Sequence, residues 1–172
     1  MFTIEVTDTA VQSALAALAQ RAGNLQPVMQ SLGKDLMERT KARFATGTGP
    51  DGAPWKANAR STLEAYVAAK GGFGKKGINK KGQALAQSKR PLIGHSGDLR
   101  RQFHVQATQN SVTVGHSAKY AAMQQFGGTK ASFPQLWGDI PARPFLPILQ
   151  GDLYPAERSA VVEAIHTYLS GK

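Results

Sequence analysis

The chain carries little raw material for chemistry. Four histidines stand at positions 95, 104, 116 and 166, there is no cysteine, and eleven acidic residues are scattered without a closely spaced pair. The lack of thiols excludes a disulfide framework, thiolate metal sites and thiol catalysis, and suits a reducing compartment. The scattered carboxylates do not form the pairs that glycoside or two-metal hydrolysis needs. His95, Ser96 and Asp98 are close in sequence. A hydrolytic triad needs a base aimed at the hydroxyl and oriented by a third group, which one tight turn seldom provides. His104 and His116 fall on the two strands of an expected hairpin, where they could meet on one face, and read as partly exposed strand histidines. Two histidines without a carboxylate are fewer than the three protein ligands of a working zinc site. Gly71-Gly72-Phe73-Gly74-Lys75-Lys76 and Phe126-Gly127-Gly128-Thr129-Lys130 are glycine-rich, but neither has the phosphate-loop spacing of Gly, four residues, then Gly-Lys-Ser/Thr. No catalytic residue, metal or cofactor is expected.

The elements that position these residues belong to a chain of 172 residues and 18.4 kDa, a length suited to one domain over 1–172. Apolar residues make up 41% and charged residues 19%, a composition of a folded chain. No apolar run is long enough to span a membrane, and Met1-Phe2-Thr3-Ile4-Glu5-Val6 lacks the basic region and continuous apolar stretch of a signal peptide. A soluble cytoplasmic protein is the expectation.

Residues 2–6 alternate and read as a strand. Asp8 or Thr9 caps a helix with Val11, Leu15, Leu18 and Ala22 on one stripe, ended by Gly23-Asn24. A second helix carries Leu25, Met29, Leu32, Leu36 and Phe44, with Pro27 in its first turn and Gly33 weakening it by about 1 kcal/mol relative to alanine. Pro50-Asp51-Gly52 is a tight turn, and Trp55 just after it is expected to fold back over a core edge. Residues 60–69 are weakly helical. Residues 71–91, with five glycines among lysines, read as a flexible basic arm or loop. Residues 102–107 and 111–116 form a hairpin around Gln109-Asn110. A short helix over 118–126 stops at Gly127-Gly128, and Pro141, Pro144 and Pro147 deny the next stretch both helix and central strand. A last helix runs from about Asp152 to Ser170, lined by Val161, Ile165, Tyr168 and Leu169. The expected fold class is α+β: a small antiparallel sheet of residues 2–6, 102–107 and 111–116 packed against the N-terminal helices and the C-terminal helix, with long Pro/Gly loops and the basic arm.

The net charge of +10 is concentrated. Between Lys56 and Arg101 lie eleven basic residues against only Glu64 and Asp98, whereas the other 126 residues balance to +1. Such a field attracts polyanions, nucleic acid or an acidic protein face, with Lys75, Lys76, Lys80, Lys81, Lys89 and Arg90 as contact candidates. The alternative is a solvated face, since only Tyr66 and Phe73 offer rings for base stacking.

Several loop motifs then occur in a fixed order: Phe44; Gly49-Pro50-Asp51-Gly52 with Trp55; Gly94-His95-Ser96-Gly97-Asp98-Leu99; Val112-Thr113-Val114-Gly115; Tyr120-Ala121; Gln124-Gln125-Phe126-Gly127; and Ile140-Pro141-Ala142-Arg143-Pro144-Phe145-Leu146. Over about residues 40–150 this series resembles the phage virion morphogenesis family, the tail completion proteins of Mu-like and related tailed phages. Gln124 stands where the family pattern has histidine, and the basic insertion before Leu92 is longer than the family core. The resemblance implies a structural virion protein, not an enzyme, added at the neck or tail end. It would work as a ring of its own copies, hexameric, against neighbouring neck, tail terminator or tail tube proteins and packaged DNA, with no membrane. It would be made in the host cytoplasm and end in the virion. The structural positions it implies are Phe44, Pro50, Asp51, Gly52, Trp55, Gly97, Leu99, Gly115, Tyr120, Gln125, Gly127, Pro141, Arg143, Pro144 and Phe145. Arg143 would either contact a neighbour's carboxylate or satisfy local carbonyls and hold its loop; Phe145 would anchor the core. The competing function is a nucleic-acid-binding module built on the basic 56–101 region.

Overall fold

The computed structural model of the protein describes residues 8–94, 96–136 and 138–171. Among these residues the architecture is α+β, with seven helices and three antiparallel two-stranded sheets. Helix α1 (Thr9–Gly23) begins where the Asp8 carboxylate accepts the N–H groups of Ala10 and Val11 at 2.8 and 3.3 Å. Its apolar stripe departs from expectation. Helix α1 buries no residue, and Val11, Leu15 and Leu18 face solvent. Its contact side is the one bearing the half-buried Ala17 and Arg21, and Arg21 Nη1 donates to the Leu169 carbonyl at 3.1 Å.

Helix α2 (Gln26–Thr46) is continuous through Gly33, accepts Pro27 in its first turn, and buries Val28, Leu32, Leu36, Thr40, Arg43 and Phe44. Helix α3 (Arg60–Ala69) follows the Trp55 turn. The segment expected as an arm then departs from a plain loop. Strands β1 (Phe73–Gly74) and β2 (Gly77–Ile78) pair, and helix α4 (Lys80–Ser88) starts on an Asn79 cap and packs on α3. Its glycines serve contact. A β-carbon at Gly82 would stand 2.1 Å from the Gly72 carbonyl oxygen, and one at Gly72 would stand 2.6 Å from Gly82 Cα and from Val67 Cγ1. Two backbones touch there, over a fully buried Val67.

The short helix α5 (Asp98–Arg101) leads into the hairpin of β3 (Phe103–Ala107) and β4 (Val112–His116), paired from Phe103 with His116 to Ala107 with Val112. This is two-thirds of the expected sheet; its third strand, residues 2–6, lies outside the described residues. The register sets the two histidines on opposite faces. His104 pairs with Gly115, so it lies on the exposed face, whereas His116 is on the inner one. Helix α2 crosses that inner face at close range, because a β-carbon at Gly33 would fall 2.3 Å from Val105 Cγ1 and 2.6 Å from Val112 Cγ2.

Helix α6 (Ala121–Phe126) ends at Gly127. A small unforeseen hairpin, β5 (Ile148–Leu149) with β6 (Asp152–Leu153), precedes helix α7 (Pro155–Ser170), which Gly171 caps. The core cluster is Phe44, Trp55, Leu99, Ala121 and Phe145. Around Phe44 the ring centroids of Trp55, Phe145 and Phe103 lie at 5.3, 5.6 and 6.2 Å, spacings of edge-on and tilted aromatic packing.

Candidate functional site

The loop-motif residues converge on one feature, the extended strap of residues 140–146 that crosses the core without joining a sheet. Its prolines remove donors and bar it from a ladder, so its remaining polar groups need other partners. Side chains supply them. Gln125 Oε1 accepts the N–H groups of both Phe145 and Leu146 at 2.9 Å, and Gln125 Nε2 donates to the Leu146 carbonyl at 3.3 Å. The indole Nε1 of Trp55 donates to the Pro144 carbonyl at 2.7 Å, and Arg43 Nη1 donates to the Phe145 carbonyl at 2.9 Å. The Arg143 N–H bonds to the Gln124 carbonyl at 2.8 Å.

The strap returns the favour to the loop beneath it. Arg143 Nε and Nη2 donate to the carbonyls of Lys56 and Ala57 at 2.7 and 2.9 Å, and burial pulls its guanidinium pKa below the ordinary value. Gly127 lets the strap pass, since a β-carbon there would stand 2.7 Å from the Ala142 nitrogen. Pro50-Asp51-Gly52 forms its turn, with the Asp51 carboxylate accepting the Ala53 N–H at 3.0 Å, and Trp55 leaves it directly into the core. Gly97 takes a positive φ ahead of α5, which buries Leu99. Gly115 lies under the His104 ring, and Tyr120 stands exposed at the start of α6.

A buried ionic cluster fixes the underside. Glu157, in the first turn of α7, accepts from Arg43 Nη2 at 2.5 Å and from Arg39 Nη1 at 2.9 Å. Arg43 thereby joins α7, α2 and the strap through one guanidinium. Sequence reasoning missed Arg39, Arg43 and Glu157. Thr40 and Arg43 lie on the buried stripe of α2 with Leu36 and Phe44, and a polar residue on an apolar stripe signals a buried partner. No periodicity points to Glu157, 114 residues away.

Above the strap opens a cleft of about 540 Å³, lined among others by Lys56, Lys89, Ser96, Asp98, Tyr120 and Arg143. In its wall, Ser96 Oγ donates to Asp98 Oδ2 at 2.5 Å. His95 lies outside the described residues. His116 accepts the Ala118 N–H on Nδ1 at 3.0 Å and bonds through Nε2 to the Leu99 carbonyl at 2.9 Å, so both its ring nitrogens serve the core wall. Among the described residues no three His, Cys, Asp or Glu side chains gather to hold a metal ion.

The basic candidates separate into two groups. Lys75 and Lys76 form the β1–β2 turn, and Lys80 and Lys81 open α4; all four are exposed. Lys89 and Arg90 instead fold back. Lys89 Nζ reaches the Ile93 carbonyl and lies 5.0 Å from the centre of the Tyr66 ring, with burial lowering its pKa, and Arg90 Nη1 bonds the Ala45 carbonyl. Among the described residues no helix is long and apolar enough to cross a membrane.

The sequence profile of one protein family, the phage virion morphogenesis family, matches residues 6–170. No curated protein and no solved structure matches the chain.

Proposed function

This chain belongs to the phage virion morphogenesis family, which makes it a protein of phage particle assembly, and from that premise we propose that it is a tail completion or neck component. In this reading it assembles as a ring of its own copies, hexameric, at the head–tail junction, and joins or terminates the tail against neck, tail terminator or tail tube proteins. It is built in the host cytoplasm, stays in the virion, and turns over no substrate. The observation that carries the reading is where the motif residues go. Gln125, Trp55, Gly127 and Arg143 all support the strap and its loop, a use of side chains that holds the shape of a surface.

The test is a phage carrying a nonsense mutation in this gene, grown with and without a complementing copy. Electron microscopy of uncomplemented lysates should show DNA-filled heads and separate or ill-terminated tails, and mass spectrometry should find the chain in purified virions. Normal infectious particles that lack the chain overturn the reading.

A second reading is DNA contact through the basic region. It is favoured by the exposed quartet Lys75, Lys76, Lys80 and Lys81 and by the absence of any acidic residue between Glu64 and Asp98. Each neutralised phosphate contributes about −0.9 to the slope of log affinity against log salt. Replacing all four lysines with glutamine should flatten that slope, and an unchanged slope removes this surface from DNA binding.

A further inference from the structure

The β1–β2 hairpin presents an apolar pair framed by like charge. Phe73 stands opposite Ile78, which sets the two side chains on one face, and they are 44% and 42% exposed. Lys75 and Lys76 make the turn between them, and Lys80 and Lys81 follow at the start of α4; all four are exposed. No ion pair among the described residues includes any of the four. The one acid on the neighbouring α3, Glu64, is taken by Arg60 at 2.7 Å, and no other acid occurs before Asp98.

The pair is held in place from below. At the base of the hairpin the Gly72 N–H donates to the Val67 carbonyl at 2.8 Å, and the Gly72 carbonyl accepts the Asn79 N–H at 3.0 Å. Ile78 lies on α4, since a β-carbon at Gly82 would stand 2.7 Å from its Cγ2. A contact surface fixed before binding loses little conformational freedom when a partner arrives.

An apolar centre with a charged rim has the build of a protein–protein contact site, and the sign of the rim selects an acidic partner. Duplex phosphates would answer the lysines and leave the apolar pair uncovered, and a single ring is too few to stack a run of bases. A bilayer is entered by side chains that project, whereas each of these is more than half covered by its own chain. Nor does this chain supply the occupant. Outside residues 56–101 its charges balance to +1, and residues 1–7 hold a single acid, Glu5. We propose that the Phe73–Ile78 face docks an acidic segment of a different protein, with an apolar side chain of that segment over the pair and its carboxylates among the four lysines. The inference needs no ring, and it shares its lysines with the DNA reading but parts from it at Phe73.

The test reads binding by fluorescence anisotropy on labelled peptides. One is a run of glutamates with leucine at every fourth position, and the other has serine in place of each leucine. Burying a leucine is worth about tenfold in affinity, so the wild type should bind the leucine peptide about tenfold more tightly than the serine peptide. Phe73→Ser should erase that preference and leave the serine peptide unchanged, while replacing all four lysines with glutamine should weaken both. A leucine peptide that does not bind, binds no better than the serine peptide, or keeps its preference over Phe73→Ser overturns the proposal. A short DNA duplex or a phosphatidylglycerol vesicle that binds more tightly than the leucine peptide, and loses affinity with Phe73→Ser, overturns it in favour of that occupant. Ile78→Thr takes the place of Phe73→Ser, with the same outcomes, if the serine variant loses its far-UV circular dichroism.

Discussion

The carboxamide of Gln125 accepts the backbone N–H of Phe145 at 2.9 Å, joining a short helix to a segment with no regular structure. The same oxygen takes the N–H of Leu146, and the amide nitrogen returns a bond to the Leu146 carbonyl. One side chain thus plays the part of a neighbouring strand for two consecutive residues. Gln125 is itself 3% exposed, and its bond to Phe145 is buried while those to Leu146 are partly so.

Replacing Gln125 with leucine leaves two buried N–H groups and a carbonyl short of partners at nearly constant volume. An unsatisfied buried group costs about 1–3 kcal/mol, so Gln125→Leu should lower stability by about 3 kcal/mol in urea denaturation. Amide exchange at Phe145 and Leu146 should accelerate more than at Val105 in the hairpin. Equal acceleration at all three would mean that the carboxamide only supports the fold globally.

Glu157 is held by two guanidiniums from one helix. Removing one member of a buried ion pair strands the other and costs about 3–5 kcal/mol. Glu157→Ala should therefore reduce Tm by roughly 10 °C, at about 2–4 °C per kcal/mol for a chain of this size. Arg39→Ala should matter far less, because Arg39 is largely exposed and its contribution is screened. A calorimetric comparison of the two variants separates the buried bond from the exposed one.

Gly33→Ala should destabilise, although alanine is the better helix former by about 1 kcal/mol. The added carbon would stand 2.3 Å from Val105 Cγ1, and overpacking costs about 1–3 kcal/mol. Shortening its neighbours, with Val105→Ala and Val112→Ala on top of Gly33→Ala, should recover part of that loss. A double-mutant cycle measures the coupling, and strict additivity would show that α2 tilts away instead.

Asp152 has its carboxyl pKa held below the ordinary value, first by the hydrogen bond from Arg158, then by the Leu153 N–H, with the attraction of the Arg158 charge adding to both. A depressed carboxyl stabilises the folded state above its unfolded pKa, and that contribution is lost as pH falls through the folded value. The pair is exposed, so salt weakens it. Carbon-detected NMR titration should place the Asp152 midpoint below that of an unstructured aspartate, and Arg158→Ala should move it up.

What the sequence disclosed divides along the range of the interactions. Helix α1 with its Asp8 cap, the hairpin of β3 and β4, and the stop at Gly127 rest on local rules, and each appears within a residue or two of its expected place. The stripe of α1 shows the limit of such rules: periodicity finds an apolar face but not whether the same chain covers it. The 71–91 segment fails for a related reason. Gly72 and Gly82 read as breakers, yet they are close-packing points whose significance appears only when the two backbones meet. At the strap, Trp55, Gln125, Arg143 and Phe145 were visible as a motif series, while the carbonyl that each one reaches was not. Arg43 and Glu157 carried no motif at all.

The strap has one more property. The N–H groups of Arg143, Phe145 and Leu146 and the carbonyls of Pro144, Phe145 and Leu146 are all taken by partners in the same chain. An extended segment normally carries two open edges, and an open edge recruits any strand that comes by. Here the groups named are already paired, so the stretch from Pro144 to Leu146 has little to offer a stray strand. A strand arriving from another molecule would first have to displace bonds that the chain already makes to itself, so this part of the backbone is closed to pairing by the side chains around it.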